Sequence, residues 1–202
     1  MIHHVHAGLA TNPSARKIAR CSGHNARMTE SLRSHLLIAS PRLADYFHRT
    51  VVLVLEHNDE GALGVVLNRP SDAAVRDAVP GLAELGDPDG VVHVGGPVQP
   101  QAVIALGEFE NPDDASRLVT ADLGVVDPDN PEVDVRRARV YAGYAGWGPD
   151  QLDAELEEEA WIVEPVHPDD PFHEDDLWPA VLQRKGGEYA LLARMPADPS
   201  LN

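Results

Sequence analysis

The stretch Thr50–Pro70, TVVLVLEHNDEGALGVVLNRP, decides the fold class. A β-branched and apolar run from Thr50 to His57 precedes Asn58, Asp59, Glu60 and Gly61, and a second run follows from Ala62 to Leu67. Two extended segments joined by turn-forming residues predict an antiparallel hairpin. Both arms are apolar at nearly every position, whereas a half-exposed strand would alternate, so both faces of the pair must be covered. The hairpin is expected at the centre of a sheet.

Upstream of it, LLIAS at 36–40, closed by Pro41, reads as a strand. Downstream, Asn68, Arg69 and Pro70 end the pair, and SDAAVRDAVPGL predicts a short helix capped by Ser71 or Asp72 that stops before Pro80. VVHVGGPV predicts a strand running into a Gly95-Gly96-Pro97 turn, and AVIAL a further strand. Residues 107–137 are polar, broken by LGVVD as an expected edge strand, and VRRAR at 135–139 reads as a solvated charged stretch. Gly148 and Pro149 read as the cap and first residue of a surface helix over PDQLDAELEEE, with Asp150 near the positive end of its dipole and Leu152 and Leu156 on one face. WIVEPV reads as a strand. HEDDLWPAVLQRKGG reads as an amphipathic helix with Leu177, Trp178, Val181 and Leu182 inward, Pro179 in its first turn and Gly186 as its stop. A mixed sheet with segregated helices, the α+β class, accounts for this order better than a regular βαβ repeat.

The chain has 202 residues, a length that fits one domain, and its 16 basic against 33 acidic residues give a net charge of -17. That charge repels a phosphate backbone and disfavours direct nucleic-acid binding. The single cysteine, Cys21, excludes an internal disulfide, and no apolar run approaches the roughly 20 residues that cross a bilayer, so a cytoplasmic location without membrane attachment is expected. Residues 1–30 lack apolar periodicity and are expected to form a disordered tail ahead of a single domain over 31–202, with Met28 as an alternative start to Met1. His3, His4, His6, Cys21 and His24 read as incidental to that tail.

Three long blocks carry a family resemblance: LLIASPRLADYFHRTVVLVLEHNDEGALGVVLNRP, VHVGGPV and RVYAGYAGWGPDQLDAELEEEAWIV. In order and spacing they resemble the YqgE/AlgH family of bacterial proteins across residues 34–196. The resemblance implies an α+β fold whose mixed, bifurcated β-sheet curls into a pseudo-barrel with flanking helices, in cytosolic proteins of no settled activity. Some members carry a label as transcriptional regulators. The chain departs from the family pattern at Ser34 and Asp150, where glycine is usual, and at Tyr46 and Thr50, where proline and serine are common.

His57 is the side chain of the folded part best suited to proton transfer near neutral pH, yet Thr50 is the only hydroxyl in the hairpin and no nucleophile motif accompanies it. The simpler reading gives His57 and Asn68 to turn hydrogen bonds. The ligand- or partner-binding candidates are Asn68 and Arg69, the turn Gly95, Gly96 and Pro97, and Gly143, Tyr144, Trp147 and Gln151 from the glycine- and aromatic-rich block. Close packing of that block is the favoured reading of Trp147; the alternative is a partly exposed ring beside glycines that makes a protein or peptide contact. The run VHPDDPFHEDD, with His167, Asp169, Asp170, His173, Glu174, Asp175 and Asp176, reads as an acidic loop leading into a helix rather than as a metal site. No metal and no cofactor is assigned. The favoured function is a non-enzymatic cytoplasmic binding or regulatory protein; the alternatives are a hydrolase or transferase using His57 and a transcriptional regulator acting through a protein partner. The charge predicts no retardation of random duplex DNA in a gel shift at physiological salt, and a salt-sensitive complex at low micromolar protein would overturn this.

Overall fold

The computed structural model describes residues 31–196, apart from 86, 88, 128, 129, 131 and 132; the expected tail over 1–30 lies outside the described residues. The elements in chain order are β1 (His35–Ala39), β2 (Val51–Asn58), β3 (Gly61–Val66), β4 (Pro70–Ala74), α1 (Val75–Ala78), β5 (Val91–Val94), β6 (Val98–Phe109), β7 (Arg117–Leu118), β8 (Leu123–Val125), β9 (Val135–Trp147), α2 (Gln151–Glu157), β10 (Trp161–Pro165), α3 (Leu177–Lys185) and α4 (Tyr189–Leu192). The strands form one sheet in the order β10-β1-β2-β3-β9-β6-β8-β7, with β4 and β5 on a branch. All pairs are antiparallel except β5 with β9. This is the α+β class with a mixed, forked sheet, and the sheet is not closed.

The hairpin β2–β3 lies in the interior of the sheet, and its alternation sends side chains into two cores. Leu53, Leu55, Val65 and Leu67 face one, under Leu177, Trp178, Val181 and Leu182 of α3. Val52, Val54, Ala62 and Val66 face the other, with Trp147, Leu152 of α2 and Trp161. Burial on both sides is why the arms are continuously apolar. At roughly 1.5–3 kcal/mol for each fully buried aliphatic side chain, the hairpin makes a large contribution to the apolar driving force.

The fork is made by β9, which pairs with β6 along one edge and changes partner on the other. Tyr141 and Ala142 pair with His93 and Val94 of β5, whereas Ala145, Gly146 and Trp147 pair with Gly64, Leu63 and Ala62 of β3. Between these pairings residues 95–96 cross Gly143 backbone to backbone. The Gly95 amide donates to the Ala142 carbonyl at 2.8 Å, and the Gly95 carbonyl accepts from Val66 at 2.8 Å. A Cβ on Gly95 would lie 2.3 Å from the Gly143 carbonyl oxygen, and one on Gly143, which has φ 72°, would lie 2.6 Å from that of Gly96. Only glycine permits this approach.

Several local expectations are corrected. Ser71 does not cap a helix: its hydroxyl donates to the Val92 carbonyl at 2.6 Å, the segment is strand β4, and α1 starts at Val75 without a side-chain cap. VRRAR is the start of β9, where Arg136 pairs with Glu108, Glu110 and Asp122, and Arg137 with Glu108 and Asp169. LGVVD supplies β8, but β7 lies outside it at the edge. α2 starts at Gln151 with Asp150, not Gly148, at its cap position, and the Asp150 side chain makes no capping bond. Ser34 and Asp150 both adopt left-handed backbone, with φ 65° and 59°. Glycine enters that region without steric cost, which agrees with the glycine that the family resemblance implies at these two positions. By contrast α3 matches its expectation, with Pro179 in the first turn and Gly186 at φ 76° ending it.

Gly95→Ala is expected to lower the unfolding free energy by about 2–4 kcal/mol in denaturant titration, because the methyl group must push β5 off β9. A loss within experimental error would show that the crossing relaxes freely.

Candidate functional site

The open end of the hairpin is tied by Asn68. Its Oδ1 accepts from the Val51 amide at 3.0 Å and its Nδ2 donates to the Arg49 carbonyl at 2.9 Å, side-chain to backbone bonds that clasp the two strands and not the expected turn. Arg69 donates to the Tyr46 carbonyl and stacks over the Tyr46 ring, its guanidinium carbon 4.5 Å from the centroid. The Arg69 carbonyl accepts from Val94 at 2.7 Å. Arg69 thus meets the strand that leads into Gly95, Gly96 and Pro97, and the crossing brings these to Gly143 and Tyr144.

His57 stands at the other end of the hairpin, and its side chain does not hold the turn. Its Nδ1 accepts from the Leu32 amide at 3.1 Å, fastening the segment before β1, while Asn58 takes the turn by accepting from Glu60 at 2.8 Å. Glu56 pairs with Arg117, and Thr50, 1% exposed, donates to the Phe47 carbonyl at 2.8 Å.

Trp147 is buried, 7% exposed, as the close-packing reading of its block requires and not as an open contact ring. It packs edge-on against Trp161 at 6.0 Å and parallel to Phe47 at 6.4 Å. The indole N–H groups of Trp147 and Trp161 donate to one oxygen of Glu155, at 2.9 and 2.7 Å, and Gln151 donates to the other at 2.9 Å. Glu155 was not legible as a hub, because nothing local marks it except its position four residues after Gln151. Tyr144 is half-buried against the α3-side core. The sequence candidates therefore divide: Asn68, Arg69, Gly95, Gly96, Pro97, Gly143 and Tyr144 gather at the fork, while Trp147 and Gln151 belong to the α2 contact.

Two side chains that sequence reasoning missed line a cleft of about 380 Å³ between β5, β9 and the loop before α3. His93 is 8% exposed, its Nδ1 3.2 Å from the Val91 carbonyl and its ring 5.7 Å from that of Tyr141. Burial and then the Arg139 charge lower its pKa from 6.5 to about 4, so the imidazole is neutral at physiological pH. Arg139 donates to the carbonyls of His173 and Phe172 at 2.9 and 3.4 Å. Arg137 stacks over Phe172 at 4.4 Å, and Glu174 stands at the rim. The only sequence signal was a histidine inside an apolar strand just before a glycine pair. In the loop, Asp170 is 4% exposed and bound by Arg184 at 2.6 and 2.9 Å, Asp169 pairs with Arg137, and Asp176 caps α3.

The arrangement has close counterparts. The AlgH-like family model matches residues 36–190, and the chain belongs to that family. A UPF0301 protein of Streptomyces avermitilis is 45% identical over 192 residues, covering 87% of this chain and 98% of the relative. The UPF0301 protein SCO2948 of Streptomyces coelicolor is 46% identical, with 87% and 98% covered. Among solved structures, protein DIP2367 from Corynebacterium diphtheriae superposes with a TM-score of 0.72 at 29% identity, covering 80% of this chain and 91% of that one. The AlgH protein from Pseudomonas aeruginosa gives 0.63 at 30% identity, with 83% and 95% covered. Among the described residues no helix is long and apolar enough to cross a membrane.

The depressed His93 pKa carries a sign. The unfolded chain takes up a proton near 6.5 and the folded one near 4, so the histidine's contribution is complete above 6.5 and is lost as pH falls towards 4. Wild type is expected to lose about 3 kcal/mol more than His93→Gln across that window in pH-dependent denaturant unfolding. Parallel profiles would show that His93 protonates without consequence.

Proposed function

We propose that this protein is a cytoplasmic, non-enzymatic binding protein that engages a protein or peptide partner through the face around the open end of the hairpin. One observation carries the reading. Of the four large hydrophobic residues exposed among the described residues, Tyr46, Val94 and Met195 lie on segments whose backbone is hydrogen-bonded to Arg49 or to its near neighbour across the hairpin mouth, Arg69, and Leu191 is the fourth. Arg49 donates to the Met195 carbonyl at 2.9 Å and its own carbonyl accepts from Asn68. Arg69 holds Tyr46 by its side chain and Val94 by its backbone. An exposed aromatic ring stacked on arginine beside aliphatic groups is the composition of an interface hot spot, and neighbouring hydrogen bonds hold it in place before a partner arrives. A role in transcription would operate through such a partner, since the net charge opposes DNA.

Val94→Asp and Tyr46→Ala, both at exposed positions, are expected to keep the melting temperature within a few degrees and to reduce partner capture from native lysate at least about tenfold. Trp147→Ala is the contrasting change, expected to destabilise by about 3–5 kcal/mol because the ring is core. Capture that survives both surface substitutions would place the partner elsewhere.

A further inference from the structure

We propose that the cleft between β5 and β9 binds a small zwitterion of the amino-acid class with an apolar side chain, its carboxylate on Arg139 and its ammonium group on Glu174. This site uses none of the residues of the partner face and does not rest on that reading. Arg139 and Glu174 line the same cleft, and among the described residues neither forms an ion pair, with each other or with any other group. The Arg139 guanidinium is nevertheless fixed, because two neutral carbonyls hold it, and one of them belongs to His173, the residue before Glu174. Two opposite charges in one cleft, neither ion-paired with the other nor with a further group among the described residues, complement a ligand that carries both.

The walls refine the class. Val91 and Val140 supply aliphatic surface and Phe172 an aromatic one, which suits a short hydrophobic side chain. Arg137, the other arginine at the cleft, is already neutralised by Glu108 and Asp169 and serves as a stacked wall. His93 commits Nδ1 to the Val91 carbonyl and leaves Nε2 as the ring atom available to a bound group. A polyanion is disfavoured: inorganic phosphate would meet Arg139 but also the charges of Glu174 and of Asp87 and Asp89, which line the same cleft. A pocket of this size with a few convergent polar groups on apolar walls is the usual form of a small-molecule site.

The test is amide NMR of the whole protein titrated separately with L-leucine, L-leucinol, 4-methylpentanoate and inorganic phosphate. L-Leucine is expected to shift the amides of His93, Arg139, Val140 and Glu174 saturably. Leucinol, which lacks the carboxylate, and 4-methylpentanoate, which lacks the ammonium group, are each expected to bind at least about tenfold more weakly. Arg139→Gln should abolish the shifts. Because Arg139 also holds the loop, the exposed Glu174→Gln supplies the second variant, and it should erase the preference for L-leucine over 4-methylpentanoate while leaving the spectrum otherwise folded. Phosphate shifting these amides where L-leucine does not, no saturable response to L-leucine, or an unchanged preference in Glu174→Gln would each overturn the proposal.

Discussion

The backbone crossing of residues 95–96 over Gly143 is the constraint on which the remaining architecture depends. β9 is long enough to serve both halves of the sheet, but one edge of a strand can hold only one neighbour at each position. Gly95 resolves this by donating to Ala142 and accepting from Val66, so the chain joins the β5 branch to the β3 side where the two diverge. The contact has no room for side chains, with carbonyl oxygens where three Cβ atoms would sit. The fork then fixes where everything else lies: β5 and β4 branch to one side, and the hairpin packs between two cores on the other.

Alternation along β5 carries this constraint to two surfaces. Val92 and Val94 fall on one side and His93 on the other, so His93 lies beside Tyr141 at the cleft while Val94 emerges next to Arg69. A single short strand thereby supplies one residue to the cleft and the next to the exposed face. The glycines just after it leave no room for a side chain, so backbone contact with β9 sets where both residues lie.

The polar ties show how a chain of net charge -17 remains compact. Its buried carboxylate, Asp170, is held by both nitrogens of the Arg184 fork and by the His167 amide, and Glu155 is shared by two indoles and a glutamine. Arg136 and Arg137 answer carboxylates from β6 and the acidic loop. Removing one member of the buried Asp170–Arg184 pair leaves a charge without its partner, which makes such ties matter more for local geometry than their net contribution to stability implies.

Periodicity and turn chemistry are local, and by themselves they determined the hairpin, the strands at 36–40, 91–94 and 161–165, helix α3 with its inward residues, and the α+β class; α4 beyond it was not foreseen. Long family blocks carried the fork as an expectation, with the glycines of the second and third blocks marked as special. Tertiary structure alone decided what those glycines do, because a close approach between residues 95 and 143 leaves no local trace beyond the absence of a side chain. It also decided between the two readings of Trp147 in favour of the core, since an indole flanked by glycines looks the same in sequence whether or not Trp161, Phe47 and Glu155 surround it. His93, Arg139 and Glu174 were missed for the same reason: each lies in a different segment, and only the parallel pairing of β5 with β9 and the return of the loop before α3 place them around one cleft.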